Sequence, residues 1–315
     1  MTASEPMHRP RQCRMKKPSD PDNKVWTISE LINWASDYFK TRDIDSPRMT
    51  AEYLLAHTLH ISRMDLYLQY DKPLVSEELQ KFKTFIKRRI NREPLAYITG
   101  QKGFWTLDLA VSEHVLVPRP DTECIVEEAL KQIPKSNATE EPLNIIDLGT
   151  GSGAIILSIA SERPENKYFA VDISADALKT AEKNAVTNCP NADITFINNS
   201  WFNAFEKETQ FDIIISNPPY IPSGDISGLQ PEITQYEPML ALDGDGDGLK
   251  CIRHIINNAL HYLKPGGWLF IETGYDQKEQ VIKIATDTEA YNCIEYIRDF
   301  SGNNRVVKMK KQIKC

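Results

Sequence analysis

The stretch Asn144-Ile145-Ile146-Asp147-Leu148-Gly149-Thr150-Gly151-Ser152-Gly153-Ala154 decides the fold. Its first five residues form the short apolar run of a fully buried strand. A helical pattern, Ala154–Ser161, starts directly after the last glycine and stops before Pro164. The three glycines between them let the chain turn tightly and bring its backbone close to a ligand. The first turn of the helix then offers N–H groups that have no intrahelical partner. Alone this is a weak sign, because Gly149-x-Gly151-x-x-Ala154 also fits the variant dinucleotide fingerprint. Asp172 lies 23 residues past Gly149 and closes the next strand, Tyr168–Asp172, where a carboxylate can accept both hydroxyls of a ribose. Nicotinamide sites and S-adenosylmethionine (SAM) sites share that arrangement.

Outward from this stretch, strands and helices alternate. A helix over Ala175–Asn188 is followed by strands Ile194–Asn198 and Phe211–Ser216. A helix over Leu249–Leu263, closed by Pro265-Gly266-Gly267, precedes strand Trp268–Thr273 and helix Gln277–Thr286. This βαβ repetition calls for a parallel sheet covered on both faces. The last two strands, Cys293–Arg298 and Arg305–Lys310, are joined only by Asp299 to Asn304. That link is too short for a parallel crossover, so the pair must be antiparallel. A parallel sheet that ends in an antiparallel hairpin is the plan of an α/β, Rossmann-like, class I SAM-dependent methyltransferase domain. A dehydrogenase sheet would stay parallel to its end.

Asn217-Pro218-Pro219-Tyr220 follows the fourth strand of this region. Two prolines stiffen the turn, so the Asn217 side chain and the Pro218 carbonyl take set positions at the carboxyl edge of the sheet, where open α/β sheets bind ligands. An amide or aryl-amine nitrogen is planar and a poor nucleophile, because its lone pair is delocalised. Two acceptors, the Asn217 oxygen and the Pro218 C=O, can each take one N–H, align the nitrogen with a sulfonium methyl and stabilise the positive charge that grows on it. Tyr220 supplies a ring for the planar group to lie against. The sulfonium is already activated, so this chemistry needs neither a metal nor a strong base. Trp201, in Asn199-Ser200-Trp201 after the third strand, stands where SAM enzymes contact adenine. Asp147 stands where it can orient the methionine end through the loop.

The part before the sheet reads differently. Residues 25–93 are helical: Thr27-Ile28-Ser29-Glu30 is a capping box, with Leu31, Trp34, Ala35 and Tyr38 at helical spacing. Ser46-Pro47 is a second start, with Ser46 as N-cap and Pro47 at the first helical position; Ala51, Leu54, Leu55 and Leu59 share the next face. Ser76 opens a third helix with Leu79, Phe82, Phe85, Ile86 and Ile90 inward; its Lys81, Lys83, Lys87, Arg88, Arg89 and Arg92 read as a solvated outer face. Residues 94–143 supply a β-hairpin linker, alternating from Gly100 to Val117 around Gly103-Phe104-Trp105, and a connecting helix. Residues 1–24, with Pro6, Pro10 and Pro18 among basic side chains, read as a disordered basic tail. The methyltransferase domain is then residues 144–315.

Together, Arg92-Glu93-Pro94-Leu95-Ala96-Tyr97-Ile98-Thr99-Gly100 ahead of Phe104-Trp105, the run Pro118-Arg119-Pro120-Asp121-Thr122-Glu123, the Asp147–Gly153 loop, Asn217–Tyr220, and Glu237-Pro238 before Ala241-Leu242 resemble the HemK/PrmC family, the protein-(glutamine-N5) methyltransferases of peptide chain release factors. The resemblance runs from about Val25 to Val307. It implies SAM as cofactor, and as substrate the glutamine of the Gly-Gly-Gln motif in class-one release factors, with residues 25–93 as the substrate-recognition domain. It implies cofactor contacts at Gly149, Thr150, Gly151, Ser152, Gly153, Asp172, Trp201 and Asn217. Substrate contacts fall at Asn217, Pro218, Pro219 and Tyr220, with Asn217, Pro218 and Tyr220 carrying catalysis and the Pro118–Glu123 turn beside the methionine end of SAM. The long basic tail and the spacing around Gly244–Gly248 depart from the family pattern without touching this chemistry.

Composition narrows the alternatives. The chain has 315 residues and a formal charge of −7, which argues against a surface built to coat nucleic acid. That weighs against an adenine-N6 nucleic-acid methyltransferase, whose substrate amine Asn-Pro-Pro-Tyr would also suit. A glutamine methyltransferase of a ribosomal protein shares the glycine loop and the Asn-Pro-Pro-Tyr motif, but the Arg119–Glu123 run resembles the release-factor enzymes. No apolar run approaches the roughly 20 residues of a membrane helix. Cys13, Cys124, Cys189, Cys251, Cys293 and Cys315 are scattered without a zinc or disulfide pattern, as reduced thiols in a cytoplasmic protein would be. Asp243-Gly244-Asp245-Gly246-Asp247-Gly248 matches the start of a calcium loop, but its twelfth position is His254, so a surface turn without metal is expected. A monomer is expected, with no direct nucleic-acid requirement.

Overall fold

The computed structural model describes residues 25–135 and 141–313; the expected tail at residues 1–24 lies outside them, as do Cys13 and Cys315. The chain divides into two compact units, with the division between Ile86 and Lys87.

The first unit holds α1 (Ile28–Lys40), α2 (Pro47–Leu59), α3 (Arg63–Leu68) and most of α4 (Ser76–Ile90). The expected capping box starts α1: Thr27 Oγ1 accepts from the Glu30 N–H at 3.4 Å, and Glu30 Oε2 accepts from the Thr27 N–H at 3.1 Å. Ile28, Leu31, Ile32, Ala35 and Phe39 face inward. Trp34 does not: it is 41% exposed and stacks on Tyr38 with ring centroids 5.5 Å apart. Ser46 also departs from expectation. It lies at φ 46°, outside the extended region a capping residue uses, and makes no side-chain cap, although Pro47 does open the helix. Helix α3 went unread in the sequence, yet Ser62 and Asp65 form a second capping box at its start. Buried Glu52 is held there by Arg63 at 2.7 Å, Arg48 at 3.0 Å and the Tyr67 hydroxyl at 2.7 Å. Burial alone would raise its pKa, but Tyr67 and Arg63 outweigh it and hold the carboxyl below its usual range.

The second unit begins inside α4 and continues with α5 (Leu95–Thr99), β1 (Gln101–Phe104), β2 (Leu107–Ala110) and α6 (Glu123–Gln132). Then come β3 (Asn144–Leu148), α7 (Ala154–Glu162), β4 (Lys167–Asp172), α8 (Ala175–Asn188), β5 (Asp193–Asn198) and β6 (Phe211–Ser216). The last elements are α9 (Pro231–Tyr236), α10 (Lys250–Tyr262), β7 (Leu263–Glu272), α11 (Lys278–Asp287), β8 (Tyr291–Arg298) and β9 (Asn304–Lys311). The large sheet has the order β5-β4-β3-β6-β7-β9-β8. Its first five strands are parallel, and β9 runs antiparallel to both β7 and β8, as the short link required. The Pro265-Gly266-Gly267 turn does not end a helix ahead of the strand. It lies within β7, where pairing jumps from Phe211↔Leu263 to Ile213↔Trp268.

Period-two alternation sorts the strands onto two cores. Ile145, Ile213, Ile215 and Phe270 pack with α6, α7 and the β1–β2 hairpin, while Ile146, Leu148, Ile214, Leu269 and Ile271 pack with α10 and α11. Asp147 and Glu272 fall in the first register and face the α6–α7 side. The hairpin shares that core through Phe104, Leu107 and Leu109. Buried Asn184 on α8 clamps it: its side chain bonds the Ala110 N–H and C=O, at 2.7 and 3.0 Å, and the Ser152 C=O at 2.9 Å. The basic stretch of α4 is not wholly a solvated face. Arg89 is 6% exposed and pairs with Glu232 at 2.9 Å, Arg92 reaches the same carboxylate at 3.5 Å, and Arg88 Nε donates to Glu93 at 2.8 Å. Among the described residues no helix is long and apolar enough to cross a membrane.

Candidate active site

The sheet order changes direction between β3 and β6. From β3 the chain steps outward to β4 and β5; from β6 it steps the other way to β7. A crevice opens at the carboxyl ends of such a pair. Leu148 pairs with Ser216, so the glycine loop after β3 and the Asn217 turn after β6 leave the sheet side by side. The Ser216 hydroxyl ties the two strands by donating to the Leu148 carbonyl at 2.7 Å.

A cavity of about 420 Å³ lies over this edge, within the range of small-molecule sites. Gly149, Thr150, Gly151, Ser152, Asp172, Trp201, Asn217 and Pro219 all line it, together with Pro118, Arg119 and Thr122 from the turn before α6. A second cavity of about 160 Å³ is lined by Asn217, Tyr220, Arg119 and Glu272. Asn217 and Arg119 therefore border both. Of the predicted site residues, Gly153 and Pro218 stand apart: both are buried, and neither lines either of these two cavities.

Each glycine of the loop has its own reason. Gly149, Gly151 and Gly153 have φ of 77°, 56° and 82°, where a side chain is strained. A Cβ at Gly151 would meet nothing within 4 Å and would project into open space, whereas at Gly153 it would come within 2.9 Å of Leu157 Cδ1. Gly151 thus keeps space free for a ligand, and Gly153 lets α7 pack. Trp201 also takes a positive φ, 50°, which is costly for a bulky residue. Its ring sits 3.8 Å from where a Gly149 Cβ would be, so it forms a wall against the loop.

The acids beneath the loop are desolvated. Asp172 accepts from the Gly151 N–H and the Ser174 N–H, both at 2.8 Å, so one oxygen braces the loop, and the residue itself lines the cavity. Burial raises its pKa against those backbone bonds. Asp147 is 1% exposed and does not line the cavity; its Oδ2 accepts from the Thr150 hydroxyl at 2.8 Å, and its Oδ1 is buried without a hydrogen-bond partner. Burial pushes it up to about 7, with Asp172 adding to the rise. An orphaned acidic oxygen under a glycine loop, two carboxyls that lack a compensating cation, and open space at Gly151 fit a ligand of net positive charge with a ribose, as SAM is.

Around the Asn217 turn, Arg119 Nη2 bonds both oxygens of buried Glu237 at 2.7 Å each, which joins two of the quoted motifs. Asn217 Nδ2 donates to Thr122 Oγ1 at 3.3 Å. The Tyr220 hydroxyl donates to Glu272 Oε1 at 3.3 Å, and Glu272 Oε2 is buried with no hydrogen-bond partner. Burial pushes Glu272 up to about 7, opposed by the Thr122 hydroxyl, Arg305 and Tyr220. Burial, then Glu272, raises the Tyr220 phenol. The sequence reading missed Glu272, although an acid closing an apolar strand was the same signal that marked Asp147 and Asp172. In the Asp243–Gly248 turn, Asp245 and Asp247 are taken by Lys250 at 2.6 Å and Arg253 at 2.8 Å.

Residues 30–100 match the PrmC N-terminal domain family, and residues 139–314 match a Methyltransferase domain family. The release factor glutamine methyltransferase of Geobacter sulfurreducens is 40% identical over 284 residues, which is 90% of this chain and 96% of that protein. The protein of the same name from Coxiella burnetii is 42% identical over 270 residues, covering 84% of this chain and 92% of its own. The one from Salmonella typhimurium is 40% identical over 285 residues, covering 90% and 97%. With a sheet of this order, a glycine loop and an Asn-Pro-Pro-Tyr turn on one cavity, and likeness along nearly the full length of these relatives, the chain belongs to the release factor glutamine methyltransferases, the HemK/PrmC family of SAM-dependent enzymes.

Proposed function

We propose that the protein transfers a methyl group from SAM to the side-chain amide nitrogen, N5, of the glutamine in the Gly-Gly-Gln motif of class-one peptide chain release factors. The observation that carries this is the placement of Asn217 on the border of both cavities, one of which it shares with the glycine loop and Asp172. SAM supplies an activated methyl on a sulfonium. The protein's own groups then have to hold and orient. Gly149 to Ser152 and Asp172 bind the nucleoside and methionine parts, and Trp201 walls the adenine. Asn217 Oδ1 and the Pro218 carbonyl accept the two amide N–H bonds of the substrate glutamine, and Tyr220 with Pro219 bounds its plane. Holding a planar nitrogen in line with the methyl, with acceptors that strengthen as charge grows, is where a site of this kind gains its rate.

Residues 25–93 are assigned the recognition of the intact protein substrate, because that helical segment carries no constellation for chemistry. The enzyme is placed in the cytoplasm, acting as a monomer and without a direct need for nucleic acid. The test is single-turnover methylation of a release factor at saturating SAM. Asn217→Ala should lower the rate by about 10²–10³, as loss of one preorganised transition-state contact does, with a smaller change in SAM affinity. Asn217→Asp keeps an acceptor oxygen and should retain more activity than Ala. A rate for Asn217→Ala within about twofold of wild type, far short of that expected loss, would remove the reading.

A further inference from the structure

Pro218 and Pro219 have no N–H, so the middle of the Asn217–Tyr220 turn can donate no backbone hydrogen bond, and its position depends on its two ends. The entry is fixed where Ser216 pairs with Leu148. The exit is held by Gln277, at the N-cap of α11. Gln277 is buried and lines neither of the two cavities. Its Nε2 donates to the Tyr220 carbonyl at 2.8 Å and to the Gly248 carbonyl at 3.4 Å, and its Oε1 accepts from the Gly274 N–H at 2.8 Å. The reversed amide would set its oxygen against two carbonyls and its NH2 against an N–H, so only this orientation satisfies all three groups. Gly248 makes the room: at φ 72°, a Cβ there would lie 2.4 Å from the Tyr220 oxygen and 2.7 Å from Gln277 Nε2. The chain just past the turn is tied to the same run, with the Ile221 N–H donating to the Leu242 carbonyl at 3.1 Å and the Gly244 N–H to the Ile221 carbonyl at 2.9 Å. The Asp243–Gly248 run, expected as a surface turn, therefore has two buried glycines, Gly244 and Gly248, and the second lies against the exit of the Asn217 turn.

We propose that Gln277 is a positioning residue for methyl transfer: it grips the Tyr220 carbonyl, with Gly248 leaving space for that grip, and so sets where the Asn217–Tyr220 turn holds its acceptors. Gln277 touches neither SAM nor substrate in this arrangement and acts only through the turn. A stiff turn moves as a unit, so loss of the exit anchor displaces the Asn217 side chain and the Pro218 carbonyl together. The inference rests on the reading that this turn accepts from the substrate amide.

The experiment is a set of single-turnover methyl-transfer rates at saturating SAM and release factor, with SAM affinity by calorimetry, each taken well below the thermal midpoint of the variant. Gln277→Met keeps the length of the side chain and removes its hydrogen bonds. It should slow transfer by about tenfold to a hundredfold, the scale for reacting groups misplaced by up to about 1 Å, and leave SAM affinity unchanged, because the glycine loop and Asp172 are untouched. A merely structural role would lower the thermal midpoint and leave the folded protein at the wild-type rate. Gly248→Ala reaches the same carbonyl from the other side, through a Cβ that has to displace it; it should slow transfer on the same scale and carries the test where Gln277→Met does not fold. In an Asn217→Ala background, Gln277→Met should cost a smaller factor than in wild type, since part of what it positions is gone. A wild-type rate for Gln277→Met or Gly248→Ala, or the same factor lost in both backgrounds, overturns the positioning role. Asn217→Ala at wild-type rate removes the functional reading itself, and that arm separates the two failures.

Discussion

Gly153→Ala and Gly151→Ala should part stability from cofactor binding, although the two glycines are separated by one residue. At Gly153, φ is 82°, and the added Cβ would lie 2.9 Å from Leu157 Cδ1, 3.1 Å from Leu157 Cγ and 3.3 Å from Ala181 Cβ. The left-handed backbone costs an alanine about 1–2 kcal/mol. Overpacking between α7 and α8 adds about 1–3 kcal/mol, because the second contact is with a rigid Ala181 that has no rotamer to yield. The loss should total about 2–5 kcal/mol, a large part of the roughly 5–15 kcal/mol that holds a domain together. At Gly151, φ is 56° and the Cβ meets nothing, so only the backbone cost of about 1–2 kcal/mol applies. That Cβ, however, enters the cavity. Urea unfolding followed by circular dichroism should therefore rank Gly153→Ala well below Gly151→Ala. SAM titration calorimetry, under conditions where both are folded, should rank them the other way. Equal unfolding midpoints for the two variants, or unchanged SAM affinity for Gly151→Ala, would refute the division of labour assigned to the loop.

Asp172→Ala should weaken SAM binding by about 1.5–3 kcal/mol, toward the upper end because the Gly151 and Ser174 N–H groups lose their acceptor as well; unchanged affinity by calorimetry would take Asp172 out of the site. Asp147 holds a proton up to about 7 in the folded protein, whereas the unfolded chain loses it near 4. Its contribution to stability should accordingly fall as pH rises through that window. A cationic ligand above it favours the ionised form, so SAM binding should tighten from about pH 6 to 8 and release protons. Calorimetry in two buffers of different ionisation enthalpy reads the release, Asp147→Asn should diminish it, and no difference between the two proteins would refute the assignment. Removing residues 1–86, a cut that keeps the Arg89–Glu232 pair, should leave SAM affinity intact and abolish most methylation of intact release factor; full activity of that fragment would overturn the recognition role.

Much of this protein was legible without coordinates, and for a consistent reason. The strand, glycine turn and helix of 144–162 are built by contacts among residues a few positions apart, which the sequence displays directly. The antiparallel end of the sheet followed from the length of one link, and the capping box at Thr27 from two side chains three residues apart. Asn217–Tyr220 could be set at the carboxyl edge of the sheet because it directly follows an apolar strand and two prolines leave the turn few shapes. Tertiary structure decided what neighbours across the chain. Leu148 pairs with Ser216, which brings Gly149 beside Asn217; that depends on the order of strands, and no local pattern encodes it. Arg89 reads as a solvated charge in the sequence, yet in the fold it is buried against Glu232, 143 positions away. Arg119 and Glu237 were two motifs in the sequence and are one ion pair in space. Asp172, expected from the sequence as a ribose acceptor, braces the loop from 21 positions beyond Gly151. Glu272 came to bear on the site only when Tyr220, 52 positions before it, reached its buried carboxyl. Burial and partner geometry at such places are sums over distant segments, so they exist only once the sheet has assembled.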